Sequence, residues 1–197
     1  MSSEGEGPTV VLEDETALQP AWRRWTRGLG FAFVGLVVLA LVGLLTFGVI
    51  NKGEGESSIL RLKRDAPDFT LNLFDGNTFT LSENRGHPVV MNIWASWCQA
   101  CRDEAPVLEG GWREFQDRGV VFVGVDYNDN RGDAEEFLRE FDITYPNGPD
   151  ESGIFFEYGA TGVPETFFIN RDGVIVLKYA GPLNDEQLSA FVEELLR

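Results

Sequence analysis

The chain is poor in cysteine, histidine, methionine and basic charge. Its 197 residues include two cysteines, two methionines and one histidine. Two cysteines exclude the multi-disulfide framework on which small secreted scaffolds depend. They also fall short of a structural zinc site, which takes four Cys and His ligands. The sole histidine, His87, sits in a loop-like Arg85-Gly86-His87-Pro88 segment. A surface or packing role suits it better than a ligand role, and no metal site is expected. Basic residues number 16 against 32 acidic ones, for a net charge of −16. Beyond residue 65 the balance is nine basic to 24 acidic. Such a surface repels phosphate backbones, so nucleic acid is excluded as a partner. The acidity suits either a solvated face that keeps a domain soluble or a docking face for basic partners.

Charge is also missing from one long stretch. Leu29 to Ile50 runs 22 residues without a charged side chain. A helix of that length spans roughly 33 Å, enough for the hydrocarbon core of a bilayer. We therefore expect a transmembrane helix over 28–50. A cleaved signal peptide would have a shorter apolar region and small residues at its cleavage site, which Phe47-Gly48-Val49-Ile50-Asn51-Lys52 does not offer. Arg23, Arg24 and Arg27 precede the span and only Lys52 follows it closely. That asymmetry puts the N-terminus in the cytoplasm and the rest outside it. Trp22 and Trp25 suit the interfacial belt. Residues 1–27 read as a disordered acidic tail, and 51–65 as a linker with a flexible Gly53-Glu54-Gly55-Glu56-Ser57-Ser58 core.

Residues 66–197 read as one α/β domain. Phe69–Leu73 and Thr78–Leu81 flank Asp75-Gly76-Asn77, a hairpin signal. Val89–Trp94 and Val120–Val125 are nearly all apolar, as in central strands covered on both faces. A helix is expected from about Cys98 to Asp117, kinked at Pro106 and weakened at Gly110-Gly111. A second runs from Asp133 to Phe141 with an Asp cap. Thr166–Ile169 and Val174–Tyr179 form another hairpin, and a last helix opens at Asn184 with Gln187 completing a capping box. The order gives a mixed central sheet with helices on both faces and an N-terminal hairpin extension.

The two cysteines are spaced Cys98-Gln99-Ala100-Cys101, directly after the apolar strand. Cys98 thus falls where a strand ends and a helix begins. Unpaired N–H groups and the partial positive charge there favour a thiolate. Cys101 lies one turn deeper, placed to resolve a mixed disulfide. The pair suits reversible dithiol–disulfide exchange, with Cys98 attacking and no cofactor beyond the disulfide itself.

Met91-Asn92-Ile93-Trp94-Ala95-Ser96-Trp97-Cys98-Gln99-Ala100-Cys101-Arg102 resembles the active-site strand, loop and helix of thioredoxin-fold proteins. Gly162-Val163-Pro164-Glu165-Thr166-Phe167-Phe168-Ile169 resembles their cis-proline loop. Over roughly residues 66–197 the chain is most similar to the membrane-anchored TlpA/ResA/CcmG (DsbE) group, which serves cytochrome c maturation. Pro164-Glu165-Thr166-Phe167, Tyr158-Gly159 and Gly124-Val125-Asp126-Tyr127 point to the CcmG type.

The resemblance implies a thioredoxin-like fold and a cis Val163–Pro164 bond facing the cysteines, with Trp97, Val163, Pro164 and Glu165 forming the substrate site. It also implies that Glu104 sits close to the thiols. There it is either a buried proton relay to Cys101 or a first-turn glutamate favoured by the helix dipole. Glu165 is either in the substrate groove or a strand-edge surface charge. Thioredoxin carries an aspartate six residues before its first cysteine; here that residue is Asn92, which does not titrate. Gln99-Ala100 adds no cation to stabilise the thiolate, which favours a reductant over an oxidant. The expected function is a membrane-tethered, extracytoplasmic thiol–disulfide oxidoreductase. Its implied partners are apocytochrome c or a haem-attachment protein, and a membrane electron donor. A Cu(I)-handling protein and a disulfide-forming oxidant are the alternatives.

Overall fold

The computed structural model describes residues 35–44 and 58–197. The chain divides into two compact units, Met1–Gly53 and Glu54–Arg197. In the first, residues 35–44 form a helix, α1, with exposed side chains. No helix among the described residues is long and apolar enough to cross a membrane. The rest of the expected 28–50 span and the 1–27 tail lie outside the described residues.

The second unit holds two sheets. The expected hairpin forms a separate two-stranded one from β2 (Thr70–Asn72) and β3 (Thr78–Thr80). The main sheet is mixed and has six strands: β1 (Ser58–Asp65), β4 (Val89–Trp94), β5 (Val121–Asp126), β6 (Asn147–Pro149), β7 (Glu165–Ile169) and β8 (Val174–Ala180). Their order across the sheet is β1-β8-β7-β4-β5-β6. β4 pairs parallel with β5 and antiparallel with β7, so it lies at the sheet's centre. All six of its residues are buried, which is why Val-Val-Met-Asn-Ile-Trp lacks an alternating pattern.

Alternation along the strands divides the core into two layers. Val89, Met91 and Ile93 of β4 and Phe167 and Ile169 of β7 pack under the hairpin and the short helix α4 (Ile154–Glu157). Val90, Phe122 and Phe168 face the other way, against α2 (Gln99–Phe115) and α5 (Asp185–Leu195). Each such side chain contributes about 1.5–3 kcal/mol on burial. α3 (Arg131–Glu140) lies on this second face too, its Ala134 and Phe137 packing with Trp94 and Ala105. Helices on both faces are therefore only partly realised. The three long helices share one face, and the hairpin with the single turn of α4 closes the other.

Two further expectations are corrected. Residues 58–65, assigned to the linker, form the edge strand β1 and pair antiparallel with β8. Its side chains are nearly all exposed, so it carries no period-two signal; the ladder to β8 fixes it. Helix α3 starts two residues early, capped by Asn130 rather than Asp133. The Asn130 side chain accepts from Gly132 N–H at 2.8 Å, closing the turn before an aspartate is needed. Gly111 also has a packing reason in α2: a Cβ there would collide with Leu188 of α5. The capping box of Asn184 and Gln187 forms as expected.

Candidate active site

The sheet delivers its chemistry at the carboxyl end of β4. Beyond Trp94 the chain turns through Ala95-Ser96-Trp97 and enters α2 with Cys98 as its N-cap. Cys98 Sγ accepts from the Cys101 backbone N–H at 3.1 Å, a helix-end donor with no carbonyl partner inside the helix. That bond and the helix dipole favour negative charge on Cys98 when the pair is reduced. Cys98 and Cys101 are joined as a disulfide. Cys98 is 7% exposed and Cys101 1%, so an incoming sulfur reaches Cys98 first.

The β5–α3 loop props the turn from outside. Asp129 accepts from Ser96 N–H at 2.5 Å and from Ser96 Oγ at 3.0 Å. Tyr127 N–H donates to Trp94 O at 2.8 Å. The Trp97 indole N–H reaches Asn128 O at 3.2 Å, while the residue stays 60% exposed beside Cys98. Asn128 accepts this position with a left-handed φ of 50°. From the other side comes the loop before β7, where the Val163–Pro164 bond is cis. Val163 O lies 3.6 Å from Cys98 Sγ. Cys98, Trp97, Val163 and Pro164 thus converge.

Glu104 lies three residues beyond Cys101 on α2 and is only 1% exposed. Its Oε1 accepts from Asn92 Nδ2 at 2.9 Å and its Oε2 from Leu183 N–H at 3.0 Å. Burial pushes its carboxyl up to about 8; the two hydrogen bonds pull weakly the other way. The burial expected of a proton relay is present, since Glu104 is closed off from solvent. Asn92 also donates to Thr166 Oγ1 at 3.0 Å, linking Glu104 to β7. Tyr145 is buried, and its phenol is raised by that burial and by the charges of Glu104 and Glu109.

Glu165 does not join the group. It is 2% exposed, and its Oε1 accepts from Thr161 N–H at 3.0 Å and Thr161 Oγ1 at 2.7 Å. Its Oε2 pairs with Lys178 Nζ at 2.7 Å. It is neither a strand-edge surface charge nor open to the groove. His87, exposed, donates from Nδ1 to Gly119 O at 3.1 Å. Among the described residues no group of three or more His, Cys, Asp or Glu is placed to hold a metal ion.

Sequence reasoning missed the supports of the site. Asp126, at the end of β5 and paired in register with Trp94, is 3% exposed. Burial, followed by the charge of Asp129 and a hydrogen bond with it, pushes its carboxyl up to about 8. Its signal was legible: a carboxylate closing an otherwise apolar buried strand. Asn147 accepts from the Trp94 indole N–H at 2.9 Å, and Gly124 leaves room for that bond, since a Cβ there would strike Asn147 and Trp94. Leu183 contributes only its backbone, which side-chain patterns do not reveal.

A helix-capping Cys-x-x-Cys disulfide opposite a cis-proline loop, on a central strand of a mixed sheet, defines a thiol–disulfide oxidoreductase of the thioredoxin-like class. The profile of the AhpC/TSA family matches residues 62–178. The chain belongs to that family, and its relatives there are thiol–disulfide oxidoreductases of the ResA and DsbE type. It is 34% identical to the thiol:disulfide interchange protein DsbE of Pseudomonas fluorescens biotype C over 155 residues, covering 77% of this chain and 85% of that protein. It is 29% identical to the thiol-disulfide oxidoreductase ResA of Oceanobacillus iheyensis over 170 residues, covering 84% and 88%. The crystal structure of a putative DsbE from Chlorobium tepidum superposes with a TM-score of 0.64 at 28% identity, over 71% of this chain and all of that one.

Proposed function

We propose that this chain is a membrane-tethered, extracytoplasmic reductant of protein disulfides acting in cytochrome c maturation. The observation that carries the reading is the convergence of Cys98 Sγ and the Val163 carbonyl, 3.6 Å apart. An extended substrate strand laid along Val163 by backbone pairing presents its disulfide to Cys98. The Cys98 thiolate attacks one substrate sulfur and expels the other as a thiolate. Cys101 then attacks Cys98 Sγ, releasing the second substrate sulfur and leaving the Cys98–Cys101 disulfide. Two electrons pass to the substrate, and each released thiolate takes up a proton. In this reading Glu104, three residues beyond Cys101 on α2 and raised by burial, exchanges a proton with Cys101. Re-reduction falls to a membrane electron donor.

The tether rests on the uncharged run Leu29–Ile50 and the arginines before it. Reducing polarity is supported by Gln99-Ala100, which adds no cation beside Cys98. The cytochrome assignment rests on the resemblance of Pro164-Glu165-Thr166-Phe167, Tyr158-Gly159 and Gly124-Val125-Asp126-Tyr127 to the CcmG type. The test is trapping in cells. A Cys101→Ala variant should hold its substrate as a mixed disulfide on Cys98, in the membrane fraction, and the captured protein should be an apocytochrome c or a haem-attachment protein. Capture of unrelated exported proteins, with a Cys98–Cys101 reduction potential in the range of strong oxidants, would assign the chain to disulfide formation instead.

A further inference from the structure

We propose that Lys178 and Glu165 form an ion-pair clamp that sets the position of the cis-proline loop, and that Lys178 is a positioning residue for protein substrates. The inference rests on the reading of Val163 as the strand-pairing site, and it gives Glu165 a different task from substrate contact.

The loop from Gly159 to Pro164 joins α4 to β7 without regular structure. Two charged side chains grip it from the sheet. Lys178 Nζ, on β8, donates to Gly159 O at 2.7 Å. Glu165 Oε1, at the first residue of β7, receives both donors of Thr161. The two heads meet at 2.7 Å through Glu165 Oε2. The ion pair thereby spans the loop's backbone at positions 159 and 161, immediately before Val163. A third anchor, Gly181 N–H to Pro164 O at 2.9 Å, fixes the far end. The Lys178 ammonium also lies over the Phe167 ring, 5.4 Å from its centroid, which gives the head a further contact on the sheet.

Stability alone does not account for this pair. The side chains are 13% and 2% exposed, and removing two charges from water costs about as much as their attraction returns. Well-packed apolar residues would serve the core equally. What they would not supply is a carbonyl-gripping ammonium and a carboxylate with two acceptors at fixed points. Displacement of a reacting group by about 1 Å costs up to about a hundredfold in rate, so such points matter where Val163 must present its backbone to a substrate.

The test uses the full-length chain in detergent, with two probes: an oxidised synthetic peptide carrying an internal Cys-x-x-Cys disulfide, which the Cys98–Cys101 dithiol reduces, and reduced dithiothreitol, which reduces the Cys98–Cys101 disulfide. Lys178→Met should lower kcat/KM for the peptide by about tenfold or more, chiefly through KM. The exchange rate with dithiothreitol and the Cys98–Cys101 potential should not change, and Lys178→Arg should recover most of the peptide rate. Glu165→Gln should add little to Lys178→Met in the double variant. An unchanged peptide rate in Lys178→Met, or an equal loss with both probes, overturns the clamp. So does a loss confined to Glu165→Gln, which would return Glu165 to direct substrate contact. If Lys178→Met fails to fold, Lys178→Gln and Glu165→Gln are compared by the same ratio of peptide to dithiothreitol rates. Pro164→Ala separates the premises: if it leaves the peptide rate intact, the loop does not bind substrate. If it impairs that rate while Lys178→Met does not, only the clamp fails.

Discussion

The Asn92 side chain donates its amide N–H to the buried Glu104 carboxyl at 2.9 Å. That bond joins the central strand to the active-site helix, and it leaves Glu104 as the titrating member of the pair. A neutral amide satisfies one oxygen without supplying a positive charge, so burial dominates and the acid stays protonated to about pH 8.

Glu104 should make stability fall with rising pH. Its native value is about 8 against an ordinary 4.5, so the folded state holds a proton that the unfolded chain has lost between those values. The stabilising contribution is complete below about pH 4.5 and is lost as pH rises to about 8. The total is a few kcal/mol at most. Urea unfolding of the oxidised protein at stepped pH should show this decline, and Glu104→Gln should make it shallower, leaving the part that Asp126 contributes. A slope unaltered in the variant would assign the titration to another group.

Asn92→Asp should create a coupled pair. Two carboxyls within hydrogen-bond distance share one proton, so one is raised and the other lowered. The variant should lose stability above neutral pH relative to the parent, because ionising both buried acids is costly. Titration of the two carboxyl carbons by NMR should give two steps, where the parent gives one. A single step near 8 would mean that the introduced carboxyl turns away from Glu104.

Gly124→Ala tests the packing that supports the site from the β5 side. The added Cβ meets Asn147 Oδ1 and Trp94 Nε1, the two ends of one buried hydrogen bond. Overpacking of this kind costs about 1–3 kcal/mol, and an unpaired buried partner adds to it. The denaturation midpoint should drop, and the near-ultraviolet signal of Trp94 should change. A neutral outcome would show that the Asn147 side chain moves aside freely.

Much of this architecture was legible in the residues. Val89–Trp94 declared a covered strand because none of its six positions needs water, and Cys98 declared a helix start because it follows that strand directly. Asn184 and Gln187 declared a cap. What stayed hidden depends on tertiary pairing. β1 has exposed side chains and is made a strand by β8. Glu165 looked like a surface or groove charge because its cation is Lys178, thirteen positions away on the neighbouring strand. Glu104 left two roles open at the level of spacing, because its burial depends on the elements packed over α2 and not on its place in the helix.

Asp126 supplies the remaining prediction, at the outer support of the active-site turn. Its carboxyl is buried, its Oδ1 has no hydrogen-bond partner, and Asp129 is the charged neighbour that raises it. Asp129 in turn holds Ser96 by two bonds. Below about pH 8 Asp126 is neutral, and the two Asp129–Ser96 bonds stand beside an uncharged carboxyl. As pH rises through that value, a second negative charge develops beside Asp129, and the grip on the turn before Cys98 should loosen. The Ser96 amide resonance should therefore titrate with a midpoint near 8, and its hydrogen-exchange protection should fall above it. Asp126→Asn should remove that transition while leaving the titration of Glu104 in place. If the Ser96 midpoint survives in Asp126→Asn and vanishes in Glu104→Gln, the turn responds to the inner acid, and Asp126 is a passive part of the strand end.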